Sequence, residues 1–289
     1  MKKMIIVSLL LTATSAFAAK SNTEYYFQPA AGVSAVEANY YMSVRPSKTA
    51  VGAVETDDKY EQSDVQLSYM YGVNENNAFG IGTYFGSLKN TVGATSTTAS
   101  GMGDIQAMYQ GFTGMWRYGA AVGINTEKIK IDATTSKTSN RSSGGLSVAA
   151  NVGLLMNSDA LNYGADLSYL MPMEREVDGT SGTKITGGNV MKLSPFVEWN
   201  WGMGFLGAEF SYVMVSDYEA KNNLGKSTTL GESYMRLMAN GSFDFNETFT
   251  GLLSLGMAMH PEHDQQSVGA TKVKAYTETI ASLGVRATF

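Results

Sequence analysis

An alternation of apolar and polar residues with period two recurs along this chain from Val36 to the terminal Phe289, and it constrains the fold more than any other feature. Period two marks an extended strand with one apolar and one wet face. The closing stretch shows it plainly. Phe289, Ala287, Val285, Leu283 and Ala281 are apolar, while Thr288, Arg286, Gly284, Ser282 and Glu278 are small or polar, with Ile280 the exception. Eleven similar apolar faces precede it, beginning at Val36, Val65, Phe79, Ile105, Trp116, Leu146, Tyr163, Leu193, Leu206, Met235 and Phe249. The reading is an all-β chain of about twelve strands.

The connections alternate too. Tight turns of Asn, Gly, Ser and Asp centre near Asn76, Gly114, Ser158, Gly202 and Asn246. Between them lie six longer polar stretches: 46–62, 93–100, 132–143, 174–189, 217–228 and 260–269. Such regularity predicts an up-and-down antiparallel meander closed on itself, whereas a Greek-key sandwich would show irregular crossovers. Most apolar faces span roughly 9–11 residues, enough to cross a bilayer at a tilt. No apolar run approaches the roughly 18 residues of a helical span. Outward aromatics gather at strand ends, with Tyr71, Phe79, Trp116, Tyr163, Trp199 and Phe249 toward the tight turns and Tyr40, Phe85, Tyr169 and Tyr212 toward the other rim. That distribution fits two interfacial girdles.

A strand that runs to a carboxy-terminal Phe, preceded by alternate apolar residues, resembles the closing strand of Gram-negative outer-membrane β-barrels of the porin-like superfamily. The resemblance implies that Phe289 is the signal read by the barrel-assembly machinery. It also implies outer-membrane lipid and lipopolysaccharide as surroundings and both termini on the periplasmic side.

The amino terminus is compatible with export. Lys2 and Lys3 precede an apolar core from Met4 to Leu11, and Ala16-Phe17-Ala18 offers a small-x-small cleavage site. The expected organisation is a signal peptide over 1–18, a short periplasmic lead over 19–30 and a barrel over 31–289. Removing the two lysines leaves 19 basic against 26 acidic residues, a charge of −7, which argues against nucleic acid as a partner. Cysteine is absent, so no disulfide or lipoprotein site exists.

The inward face carries the candidate functional residues: Glu37, Asp64, Asp104, Arg117, Asp166, Glu198, Glu209, Glu232, Arg236, Glu278 and Arg286. In a wet lumen they would bias the ions and solutes that pass. In a plugged one they would have to pair, Arg236 with Glu209 or Glu198 on neighbouring strands. A passive channel for small hydrophilic solutes or ions, mildly cation-favouring and with no cofactor, is the expectation. The alternative is a non-conducting surface barrel for adhesion, recognition or envelope integrity.

Catalysis is not expected. Twelve-stranded outer-membrane barrels include a phospholipase and a lipid A deacylase, both of which use a histidine. The two histidines of this chain, His260 and His263, fall in the stretch His260-Pro261-Glu262-His263-Asp264, read as a solvated loop. General-base work requires a rigid position within hydrogen-bond reach of a nucleophile. The same loop reading assigns the cluster no metal.

Overall fold

A strand pairs with the next one in the chain when the turn between them is short, and five such turns generate most of this molecule. The computed structural model describes residues 23–130, 140–178, 183–222, 225–264 and 271–289. The expected signal peptide lies outside them. Twelve long strands form the wall: β1 (Ser34–Val51), β2 (Val54–Asn74), β3 (Asn77–Val92), β5 (Ile105–Thr113), β6 (Trp116–Ile124), β8 (Ser147–Ser158), β9 (Leu161–Pro172), β12 (Val190–Asn200), β13 (Phe205–Val215), β16 (Ser233–Asp244), β17 (Phe249–His260) and β20 (Tyr276–Thr288). They pair antiparallel in that order, and β20 pairs back to β1, closing the barrel. Along the seam Ala35 faces Thr288 and Val44 faces Thr279. At its end Ser34 and Phe289 exchange backbone hydrogen bonds of 2.7 and 2.9 Å.

Closure joins the last wall strand to the first, so the ring of twelve has no free terminal strand. The outer surface is greasy. Leu67, Ile81, Val122, Leu167, Leu193, Leu237, Leu255 and Leu283 are all exposed on it. Tyr71, Phe79, Trp116, Tyr163, Trp199 and Phe249 are also exposed and lie toward the short-turn rim. The inward face holds the buried polar residues, among them Asp64, Asp166, Ser194, Glu198, Ser211 and Arg286. A soluble protein has the opposite arrangement.

The two rims differ more than expected. At the short-turn rim, gaps at 75–76, 114–115, 159–160, 201–204 and 245–248 match the five anticipated turns. At the other rim, the stretch 46–62 is not a loop. β1 and β2 continue as a hairpin to Val51 and Val54, joined through Gly52 with φ 61° and Ala53. The stretch 93–100 is likewise strand, because β3 runs to Val92 and β4 (Thr95–Met102) returns along it. Further short strands order the remaining connections: β7 (Ile129–Lys130), β10 (Arg175–Asp178), β11 (Lys184–Gly187), β14 (Tyr218–Asn222) and β15 (Gly225–Thr229) form a separate sheet. β18 (His263–Asp264) and β19 (Thr271–Val273) extend the barrel sheet beside β1. Where both faces of a strand are polar, the ladder continues while the hydropathy alternation disappears.

Candidate functional site

The lumen is the one place where this chain assembles charged groups out of contact with bulk water. Its short-turn end is filled by the segment preceding β1, expected as a lead outside the barrel. Residues 23–31 instead enter it. The Thr23 hydroxyl donates to Glu198 at 2.6 Å, and the Tyr25 backbone N–H donates to the other oxygen of the same carboxylate. The Tyr26 hydroxyl donates to Asp166 at 3.2 Å, alongside Asn151 at 2.8 Å. The Gln110 amide reaches the Tyr26 and Phe27 carbonyls. Tyr25 stacks on Phe196 with ring centroids 3.9 Å apart and planes 2° from parallel. Gly153 makes this fit possible, since a Cβ there would lie 1.9 Å from the Tyr26 hydroxyl oxygen. Arg286 binds Glu24 with two nitrogens, donates through Nε to Glu37 at 3.1 Å and lies 3.6 Å from the Phe27 ring centroid.

Past this segment opens a cavity of about 690 Å³ lined by wall residues of both charges, including Lys192, Glu209 and Asn240. Glu209 receives Arg236 at 2.9 Å, lies 3.5 Å from Lys192 and accepts from Ser211. The expected pairing of Arg236 is therefore with Glu209. Arg117 turns to its own hairpin, donating to the Gly114 and Trp116 carbonyls.

The long-loop end is built differently. Residues 140–145 fold inward and are held by three wall positions. Arg141 donates to both oxygens of Asp64 at 2.8 and 3.0 Å, and that carboxylate is 2 % exposed. The Tyr84 hydroxyl donates to the Arg141 carbonyl at 3.0 Å. Asp104 accepts from the Ser142 hydroxyl and the Ser143 N–H. Across the lumen, five side chains from five consecutive strands stack face to face: Tyr60, Arg45, Tyr276, His260 and Tyr234. The Arg45 guanidinium sits 4.1 Å from the Tyr60 ring centroid and 5.8 Å from that of Tyr276. His260 is 4.3 Å from Tyr276 and 4.2 Å from Tyr234, centroid to centroid. Its Nδ1 lies 3.1 Å from Glu232, and its Nε2 lies 3.7 Å from Glu278. His263 Nε2 is 3.6 Å from the same Glu232 oxygen. Burial works to raise the Glu232 pKa but is outweighed by the His260 hydrogen bond and the charges of His260, His263 and Arg45, so its carboxyl sits below the usual range.

The wall itself has one interruption. β3 pairs with β5 as far as Gly82 and with β4 from Phe85 onward, so its partner is broken at Gly103 and Asp104. Gly103 is needed there because a Cβ would strike the Tyr84 ring at 2.0 Å. On the lipid-facing side an apolar pocket of about 300 Å³ sits at the break, lined by Leu67, Ile81, Met102 and Ile105 among others. Tyr84, Asp64 and Asp104, which border the break, are the same residues that hold the inward loop.

All eleven charged residues singled out from sequence face the lumen. His260 was misread. It ends β17 rather than opening a solvated loop, and it is 4 % exposed between two tyrosines. The signal was present, since extending the β17 alternation by one residue past Met259 gives position 260 inward parity. Arg45, Tyr60, Tyr234 and Tyr276 share that parity on their strands but carried no pattern that marked them as a stack.

No protein-family model and no curated protein sequence matches the chain. Solved structures do. The crystal structure of the COG4313 outer membrane channel from Pseudomonas putida F1 superposes with a TM-score of 0.67 at 13% identity, covering 93% of this chain and 100% of that one. CymD, described as a monoaromatic hydrocarbon channel, gives 0.51 at 10% identity, with 95% of each chain covered. The chain thus shares the fold of these proteins, a closed antiparallel barrel of twelve strands.

Proposed function

We propose that the protein resides in a bacterial outer membrane and acts as a passive channel for small hydrophilic solutes or ions. The observation that carries this reading is the cavity of about 690 Å³ with a polar, mixed-charge wall. Twelve strands enclose more space than their side chains fill, unlike the smallest barrels. Solutes would move by diffusion, biased by Glu209, Arg236 and Lys192 along the wall and by the groups at the long-loop mouth. The short-turn rim would face the periplasm, the apolar belt would contact lipid and lipopolysaccharide, and Phe289 would be read by the assembly machinery. The two structural relatives with the greater likeness are both described as channels, which supports the reading.

A second reading rests on the wall break. Its apolar pocket offers a route by which an apolar solute could pass between lumen and membrane, and CymD is described as a channel for such molecules. Planar-bilayer recording of refolded protein, paired with uptake of a monoaromatic hydrocarbon by cells expressing it, separates the two. Ion current without hydrocarbon uptake is the expected result. Uptake without current favours the second reading, and neither signal contradicts both.

A further inference from the structure

The long-loop mouth concentrates the histidines of the chain at a single point. Both histidines lie there, and both approach the same Glu232 oxygen. His260 touches Tyr234, Tyr276, Glu232 and Glu278, and further charged or titratable groups stand around that stack. From β16 come Tyr234 and Arg236, the latter held by Glu209. Tyr276 and Glu278 come from β20, Tyr41 and Arg45 from β1, and Tyr60 from β2 beyond Arg45. Glu232 and His263 come from the connections into β16 and out of β17. Asp64 on β2 is already neutralised by Arg141.

Apart from these two paired carboxylates, the mouth cluster holds Glu232, Glu278 and Arg45. Those three groups together carry a charge of −1 with both imidazoles neutral, while Lys272 and Lys274 are answered by Glu262 and Asp264. Protonation of His260 brings it to zero, and protonation of His263 as well brings it to +1. Histidine is the side chain whose charge ordinarily changes between about pH 5 and 8. The two tyrosine faces and two carboxylates around His260 give its cation a place that needs little water. Residues 140–145 occupy one side of this end, held by Asp64, Tyr84 and Asp104, and the histidine cluster lines another part of it.

We propose that His260, with His263 beside it, determines whether the mouth prefers small cations or small anions, the preference moving toward anions as the imidazoles gain protons. Stacking between Tyr234 and Tyr276 fixes the His260 ring, so its charge acts from a fixed position rather than averaged over a mobile side chain. The inference rests on the channel reading and deepens it by naming the group that sets ionic selectivity.

The test is the reversal potential of the refolded full chain in planar bilayers under a potassium chloride gradient, at pH 8 and pH 5.5. The wild type should shift toward anion selectivity on acidification, His260→Gln should lose most of that shift, and the double variant with His263→Gln should lose all of it. Glu278→Gln, which keeps both imidazoles, should move the preference toward anions at pH 8 and retain pH dependence. It also serves if His260→Gln does not fold. Current with a pH-independent reversal potential in the wild type, or an undiminished shift in the double variant, overturns this proposal and leaves the channel standing. Absence of current in every protein overturns the channel reading itself.

Discussion

The two halves of the lumen treat charge in opposite ways. At the short-turn end, buried wall groups are answered by the chain's own amino-terminal segment: Glu198 by Thr23 and Tyr25, Asp166 by Tyr26, Arg286 by Glu24. At the long-loop end, wall groups answer one another or a single inward loop, and several buried polar atoms make no hydrogen bond. Arg45 Nε, Arg141 Nε, Arg236 Nε and His260 Nε2 are such atoms, against Gln28 Oε1 within the amino-terminal segment. A buried polar group without a hydrogen bond costs about 1–3 kcal/mol, so these atoms mark places where the packing is not closed by hydrogen bonds; Trp201 Nε1 at the short-turn rim is another. The difference is that one end is packed by the chain's own amino-terminal segment and the other by wall groups and one inward loop.

Arg286 is where the comparison breaks most sharply. It holds Glu24 of the segment and Glu37 of the wall at once, and it is 4 % exposed. Arg286→Gln should destabilise the refolded barrel by about 3–5 kcal/mol, because both carboxylates lose their cation. It should also raise the current by loosening the segment. Urea unfolding in vesicles measures the first effect and bilayer recording the second. Unchanged stability would show that the segment is not held by this cluster.

Arg141→Ala probes the other end. Here the lost partner is a loop residue, and a freed Asp64 can be reached by water, so the cost should be smaller, about 1–3 kcal/mol. Conductance should rise as residues 140–145 leave the lumen, while protease resistance of the amino-terminal segment stays as in the wild type. Equal loosening of both ends would mean that the two halves are not independent.

Much of the fold was legible because a closed barrel with an apolar outside and a polar inside writes itself into the residues. Strand number and turn positions follow from alternation, which is strict wherever the two faces differ. The same cause explains what was not legible. Toward the long-loop rim Thr49, Thr56, Thr91 and Thr97 continue the ladders with both faces polar, so these strands read as loops. The amino-terminal segment was legible only as polar and aromatic. Nothing in Tyr25-Tyr26-Phe27 says that Phe196, Gly153 and Arg286, far along the chain, shape a socket for it. His260 was lost by ending a strand one residue early. In a barrel, that single step moves a side chain from a wet loop to the lumen wall.

On the channel reading, the chain's own amino-terminal segment is the stopper at the short-turn end of a polar lumen. Single-channel recording of refolded barrels with and without residues 19–31 tests it most directly. The account predicts small, interrupted currents for the longer chain and several-fold larger, steady currents for the truncated one. Equal conductance in two barrels of equal thermal stability would contradict it.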